Sequence, residues 1–478
     1  MIGEVYEKTD AVGLSRLIAS KQISPSELVD EAIKRIEDKN PRFNAIVFKS
    51  YDYARRQAAG QLPAGPLSGV PFVIKDLFTQ YENFPVTNGS RFLDGFVGSR
   101  TSLFADRMKA AGLIALGKSN VPEMGAAPTT EPAFHGPTIN PWNKRIVPGG
   151  SSGGSAVAVA SAMVPIADAS DGGGSIRIPA SLNGLVGLKP SRGRVPYGPD
   201  IVDIWYGSAV FGCVSRSVRD TAAFLDAVGG SLPGDPYFLP DPETSYFTQA
   251  DTPPGRLKIG FVACEPDGQP LHEEAGRAVA GAARLCEKLG HDVSEASFRY
   301  DVDRMRKTMR RVTAVLNAGF FVSCAQSLGR QVTEADVEPV TWALYQFGLG
   351  ITGAQHADDI AALRLMGRDI VQDLHDWDVL ISPVLPVPPR DRGWFDMSLK
   401  DLAEYDARVG HNGIFTRPFN ISGQPAVSLP LHFTSDEIPI GVQFAGRIGD
   451  EATLIKLASQ LEKAQPWMGR LQKTPFRA

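Results

Sequence analysis

Five short apolar runs, AIVFKS (45–50), GVPFVIKD (69–76), GLIALGKS (112–119), RLKIGFVAC (256–264) and DVLISPVLP (378–386), are bounded by Gly, Pro or charge, and helical segments separate most of them. A run this short, apolar on both faces and closed by a breaker, reads as a strand buried within a sheet. Strands alternating with helices predict an α/β fold. In ISPSELVDEAIKRIEDKNP, Ser24 and Glu27 form a capping box around Pro25, and Val29, Ala32, Ile33 and Ile36 then recur at helical spacing. Residues 218 to 370 read mainly helical, whereas RDRGWFDMSLKDLAEYDARVGHNG, 390–413, shows no clean period and reads as a loop over a site.

A chain of 478 residues with 43% hydrophobic and 21% charged residues buries a large core and is not disordered. The net charge of −4, with Lys and Arg scattered, offers no basic stripe for a phosphate backbone, so no nucleic-acid partner is expected. Cys213, Cys264, Cys286 and Cys324 lie far apart without metal-ligand spacing, which fits a reducing compartment and no bound metal. The first residues contain no apolar leader and no run approaches a membrane span, so the expectation is a cytoplasmic protein without a membrane partner.

The unusual stretch is PGGSSGGSAVAVASAMVPIADASDGGGSIRIPAS, 148–181, with seven serines and seven glycines. It is not a flexible linker, because SAVAVASAM is a small-residue helix candidate and VPIADAS a short strand candidate. The glycines flank that helix and strand on both sides and point to two tight backbone approaches at one place. GGSSG matches a nucleophile elbow, but no hydrophobic strand precedes it and every histidine is isolated, which disfavours a Ser-His-Asp triad. GLIALGKS matches a phosphate loop letter for letter, but its middle residues look like the strand itself and Pro122 sits where the helix should be under way; the reading is a buried strand ending in a surface lysine.

A serine nucleophile without His needs another base, and a lysine neutralised by burial remains. Lys75, at the end of an apolar strand, is the best candidate, beside the plainer reading of a strand-end lysine that snorkels to water. Asp76, its neighbour, is expected on the opposite face, bonded to solvent or backbone.

GVPFVIKD, GKSNVPEMG, GGSSGGSAVAVA, DGGGSIRIPASLNGLVGLKPSRGRVP and RPFNISGQPAVSLPLHFTSDEIPIGVQFAGR together resemble the amidase signature family. The likeness covers most of the chain outside roughly 230–370. It implies one α/β/α domain, 1–478, with a mixed, twisted sheet covered by helices, a signature core at 65–195 and a variable, mainly helical region at 230–370, while 390–413, from its composition, reads as a lid loop. It also implies a Ser-cisSer-Lys triad of Lys75, Ser151 and Ser175, with backbone amides of Gly172, Gly173, Gly174 and Ser175 as the oxyanion hole. Asp171 and Arg177 are expected to pair structurally and Ser152 and Ser155 to support Ser151, while Met124 and Gly125 are substrate-binding candidates. No cofactor and no metal is implied.

The overall run, including TTEPAFHGPTINPWN and SVRDTAAFLDAVGG, most resembles the branch of nylon-oligomer cyclic-dimer hydrolases and bacterial amidases acting on anilides and carbamates. Three departures matter. Gly172 stands where many relatives have Thr, which reads as a wider acyl pocket. Ile178 stands where glutamine-dependent amidotransferase subunits carry Gln. RRVTAVLNAGF lacks the cysteine that cyclic-dimer hydrolases place near substrate. The expected substrate is therefore a bulky, largely apolar amide or aryl carbamate, with glutamine-dependent amidotransfer and a binding protein without turnover as alternatives; monomer and homodimer both stay open.

Overall fold

A computed structural model describes residues 2–199 and 201–474. Among them eleven strands form one sheet: β1 (Ile46–Lys49), β2 (Pro71–Lys75), β3 (Ile114–Ser119), β4 (Ile166–Asp171), β5 (Val186–Lys189), β6 (Val210–Ser215), β7 (Lys258–Phe261), β8 (Asp292–Glu295), β9 (Val379–Pro383), β10 (Ala426–Phe433) and β11 (Pro439–Gly446). Their order is β1-β3-β2-β4-β6-β5-β10-β11-β9-β7-β8. β2 runs parallel to β3 and β4, and β7 runs parallel to β8 and β9. The other pairs are antiparallel, so the sheet is mixed, and helices flank it. All five apolar runs read from the sequence are strands of this sheet. β2 and β3 are buried at every position, as an interior strand covered on both faces must be.

Six helices matter for the site: α1 (Pro25–Phe43), α2 (Gly153–Ala160), α3 (Arg177–Asn183), α4 (Val302–Leu328), α5 (Pro339–Leu349) and α6 (Leu402–Asn412). α1 starts at the expected box: the Ser24 hydroxyl accepts from the Glu27 amide at 3.2 Å, and the Glu27 carboxylate accepts from the Ser24 amide at 2.8 Å. Its apolar stripe of Leu28, Val29, Ala32, Ile33 and Ile36 is buried in the main core, together with Phe72 and Ile74 of β2 and Val157 and Val159 of α2. α2 is buried along its whole length because its residues are small. A Cβ at Gly154 would stand 2.4 Å from the Asn120 backbone nitrogen, so a side chain there would force the helix off the end of β3.

Two expectations need correction. Residues 390–413 are not a loop throughout, since α6 occupies Leu402–Asn412 and is capped by Asp401, whose carboxylate accepts from the amides of Ala403 at 2.8 Å and Glu404 at 3.1 Å. Its inward face, Leu402, Tyr405, Asp406 and Val409, has helical spacing but includes an acid and a phenol, which hid the period. Nor is Lys118 a surface lysine. β3 lies between β1 and β2, so Lys118 is fully buried, with Nζ donating to the carbonyls of Thr79 at 2.7 Å and Lys75 at 3.3 Å. Asp76 is buried as well; its carboxylate accepts from the Thr87 amide at 3.0 Å and from the Thr87 hydroxyl, with Lys118 Nζ 3.9 Å away.

Candidate active site

Lys75 ends β2 where the strand runs alongside β4, and its backbone amide donates to Asp168 Oδ2 of β4 at 3.1 Å. The Lys75 side chain is fully buried. Its Nζ donates to Ser151 Oγ at 2.8 Å and to Ser170 Oγ at 2.9 Å, with the Ser170 carbonyl at 3.4 Å. Burial pulls its pKa down to about 7, and the negative charges of Asp168 and Asp171 only partly oppose this. Burial thus makes the neutral amine far more accessible than in an ordinary lysine. Asp168 is itself fully buried, and desolvation pushes its carboxyl up to about 6 against the pull of Lys118 and Lys75.

Ser151 follows a cis Gly150–Ser151 peptide bond. A Cβ at Gly150 would lie 2.4 Å from the Thr129 carbonyl oxygen, so only glycine lets the chain pass there. Ser152, expected as a support, bridges to β4: its hydroxyl donates to the Ser170 carbonyl and accepts from the Ser170 amide, both at 3.3 Å. Its own amide donates to the Ser175 carbonyl at 3.3 Å, tying the two serine segments together. Ser155 donates to the Asp168 carbonyl at 2.6 Å and meets the Ser119 hydroxyl at 2.7 Å.

Ser175 lies between the end of β4 and the start of α3, where Asp171 and Arg177 organise the turn. Arg177 grips the Asp171 carboxylate with Nε and one terminal nitrogen, each at 2.9 Å, and both side chains are fully buried. Burial alone would raise the Asp171 carboxyl, but the Arg177 charge and hydrogen bonds, with Asn420, hold it well below its usual range. The same carboxylate accepts from the amides of Gly174 at 2.7 Å and Ile176 at 3.1 Å. Gly174, expected among the oxyanion donors, thus has its amide turned to Asp171. The amides of Gly172, Gly173 and Ser175 donate to no group among the described residues.

A cavity of about 200 Å³ opens above these elements, and Ser151, Ser170, Gly172, Gly173 and Ser175 form its floor. Met124 and Gly125 also line it; both have left-handed φ, 53° and 66°, and a Cβ at Gly125 would press to 3.3 Å from Ser151 Oγ. The expected widening at Gly172 is absent. A Cβ there would stand 2.7 Å from Trp205 Cζ3, so the missing side chain admits the indole, which itself lines the cavity. Trp205 and Tyr206 both have φ of 54°, an uncommon conformation for bulky residues.

Sequence reasoning missed Ser170, Asp168, Trp205 and the partners that reach Asp171 and Gly173 from the C-terminal part. Asn420 Nδ2 donates to the Asp171 carboxylate at 2.9 Å, and the Thr416 hydroxyl donates to the Gly173 carbonyl at 2.7 Å. The signal for Asn420 was its place in RPFNISGQP, which gave no hint of direction. Among the described residues no cluster of His, Cys, Asp or Glu is placed to hold a metal ion, and no helix is long and apolar enough to cross a membrane.

The amidase family profile matches residues 27–455. The 6-aminohexanoate-cyclic-dimer hydrolase of Pseudomonas sp. (strain NK87) is 38% identical over 477 residues, covering 96% of each chain. A solved structure of 6-aminohexanoate cyclic dimer hydrolase superimposes with a TM-score of 0.93 at 36% identity, over 98% of this chain and 99% of that one. A bacterial aryl acylamidase structure superimposes with a TM-score of 0.88 at 29% identity over the same shares.

Proposed function

The chain belongs to the amidase signature family and hydrolyses carbon–nitrogen bonds other than peptide bonds; we propose that it does so through an acyl-enzyme on Ser175, acting on bulky, largely apolar amides and aryl carbamates. The observation that carries this reading is the 2.8 Å contact between the buried Lys75 amine and Ser151 Oγ, at the floor of a cavity that Ser175 shares. Neutral Lys75 takes the proton of Ser151 as Ser151 takes that of Ser175, and the Ser175 oxygen attacks the substrate carbonyl. The carbonyl oxygen becomes an oxyanion held by the amides of Gly172, Gly173 and Ser175, which no other group among the described residues engages. Collapse breaks the carbon–nitrogen bond, and the proton returns through Ser151 to the leaving nitrogen. Water then attacks the acyl group along the same relay, releasing the acid and restoring Ser175.

Asp171 positions this machinery. It fixes the Gly174 and Ile176 amides on either side of Ser175, and Arg177 keeps it ionised. Ser170 gives Lys75 a second acceptor, so the amine stays aimed at Ser151 when it changes protonation.

The walls set the substrate class. Phe78, Met309, Leu316, Phe320 and Leu344 join Trp205 in a predominantly apolar surround, and an aryl carbamate presents the same carbonyl with one more oxygen. Through α6, the segment 390–413 covers one side of the cavity and limits the size of the group it accepts. Asn317, not a cysteine, faces the cavity from α4.

A panel of anilides, aryl carbamates, linear and cyclic oligoamides and glutamine tests the reading. Turnover of anilides or aryl carbamates, above the rate with glutamine, is the expected result. Ammonia released from glutamine alone, with transfer to an acceptor only when a partner is added, would overturn it.

A further inference from the structure

Most of the cavity wall is apolar, its floor carries the serines, and its charged groups are gathered on α4, α6 and Arg417. Among the described residues its lining contains three guanidinium groups, Arg306, Arg310 and Arg417, and a single carboxylate, Asp406. Arg306 and Arg310 stand one turn apart on α4, on the stripe that also carries Thr313, Asn317 and Phe320, so helix periodicity turns all five toward the same space. Asp406, on α6, pairs with Arg306 and lies 3.5 Å from Arg310.

One carboxylate does not serve three cations. Arg306 finds a second anion in Asp303 at 3.1 Å, outside the cavity. Arg310 has no second acid within salt-bridge distance among the described residues; its Nε is buried without a hydrogen-bond partner, and its guanidinium lies 5.4 Å from the Phe347 ring centre. Among the described residues the Arg417 guanidinium donates only to the carbonyls of Val409 at 3.0 Å and Gly410 at 3.3 Å and pairs with no carboxylate.

The chain makes room for these groups. A Cβ at Gly410 would meet Arg306 Cδ at 2.3 Å, and one at Gly413 would meet Arg417 Nε at 2.8 Å. Arg417 also reaches the catalytic floor, since a Cβ on Gly173 would lie 3.5 Å from Arg417 Cγ. Cations held in an apolar cavity with surplus donors are incompletely compensated, and a planar guanidinium fork matches a carboxylate.

We infer that this wall, formed by Arg310 and Arg417 with Arg306 behind them, binds a carboxylate carried on the apolar body of the substrate, so that the preferred substrates are amides or carbamates ending in a free acid. This rests on the cavity being the substrate site proposed above and narrows the class that enters it. Asp406 holds Arg306 in place, and the incoming anion completes the partners of the other two.

The test is binding rather than turnover. Ser175→Ala protein is titrated calorimetrically at low salt with the mono-anilide of adipic acid and with the methyl ester of that compound, which has the same body without the charge. The acid is expected to bind at least about tenfold more tightly, within the range of a charge-assisted hydrogen bond. Arg310→Met and Arg417→Met should each reduce that preference, and a second matched pair, hexananilide against the same acid, guards against an effect peculiar to the ester. Equal or weaker binding of the acid overturns the inference, as does a preference that survives both substitutions. Because no bond is cleaved, the result does not depend on Ser175 being the nucleophile, which covalent labelling decides separately.

Discussion

In the proposed mechanism Lys75 sets how activity depends on pH. Burial brings its amine down to about 7 from an ordinary 10.5, while Asp168 and Asp171 pull the other way. Only the neutral amine accepts a proton, so the rate is high above that value and is lost as pH falls through it. A base titrating near 7 is neutral in about one molecule in ten at pH 6 and about nine in ten at pH 8, a roughly tenfold rise in acylation that then levels off. An ordinary lysine would give about a hundredfold rise over the same interval and no plateau before about pH 10. Single-turnover release of p-nitroaniline from an acyl p-nitroanilide, followed from pH 5.5 to 9.5, separates the two. Asp168→Asn adds the sign: it removes the anion that favours the ammonium, so the midpoint moves to lower pH. A flat profile from pH 6 to 8, a rate still climbing tenfold per unit at pH 9, or an upward shift in Asp168→Asn would refute the assignment.

Two further substitutions probe the turn and the wall. Arg177→Met leaves the fully buried Asp171 carboxylate without its guanidinium, and urea unfolding should show a loss of about 3–5 kcal/mol. Since that carboxyl titrates below its unfolded value of 3.8, the pair stabilises the fold above that value and the contribution drains away as pH falls, so the variant should show a shallower acid dependence than the parent. Gly172→Thr places a Cβ 2.7 Å from Trp205 Cζ3 and drives the indole from its seat. It should cost about 1–3 kcal/mol of stability and change kcat/KM more for a bulky anilide than for acetanilide, and an unchanged ratio would remove Trp205 from the substrate wall.

Much of the scaffold was legible because its signals are local. β2 announces itself as an apolar run closed by Lys75, and α1 by its capping box; neither needs knowledge of the rest of the chain. The misreadings concern what lies next to what. Lys118 ends a strand just as Lys75 does, and nothing in GLIALGKS says that β1 and β2 enclose it. α6 was missed because its inward face meets a partly polar cavity, so hydrophobic period and buried face do not coincide. The proposed triad residues were reached through motif resemblance, but Ser170 and Asn420 depend on contacts spanning 95 and 249 residues. Gly172 shows the limit most clearly: an absent side chain reads as free space until the indole that fills it is in view.

The central claim is that Ser175 becomes covalently acylated, and an active-site fluorophosphonate tests it directly. The folded protein incubated with the probe near neutral pH should carry one adduct, located on Ser175 by peptide mass spectrometry, absent from Ser175→Ala and formed far more slowly by Lys75→Ala. No adduct on the folded protein, an adduct on Ser151 instead, or unchanged labelling of Lys75→Ala would contradict it.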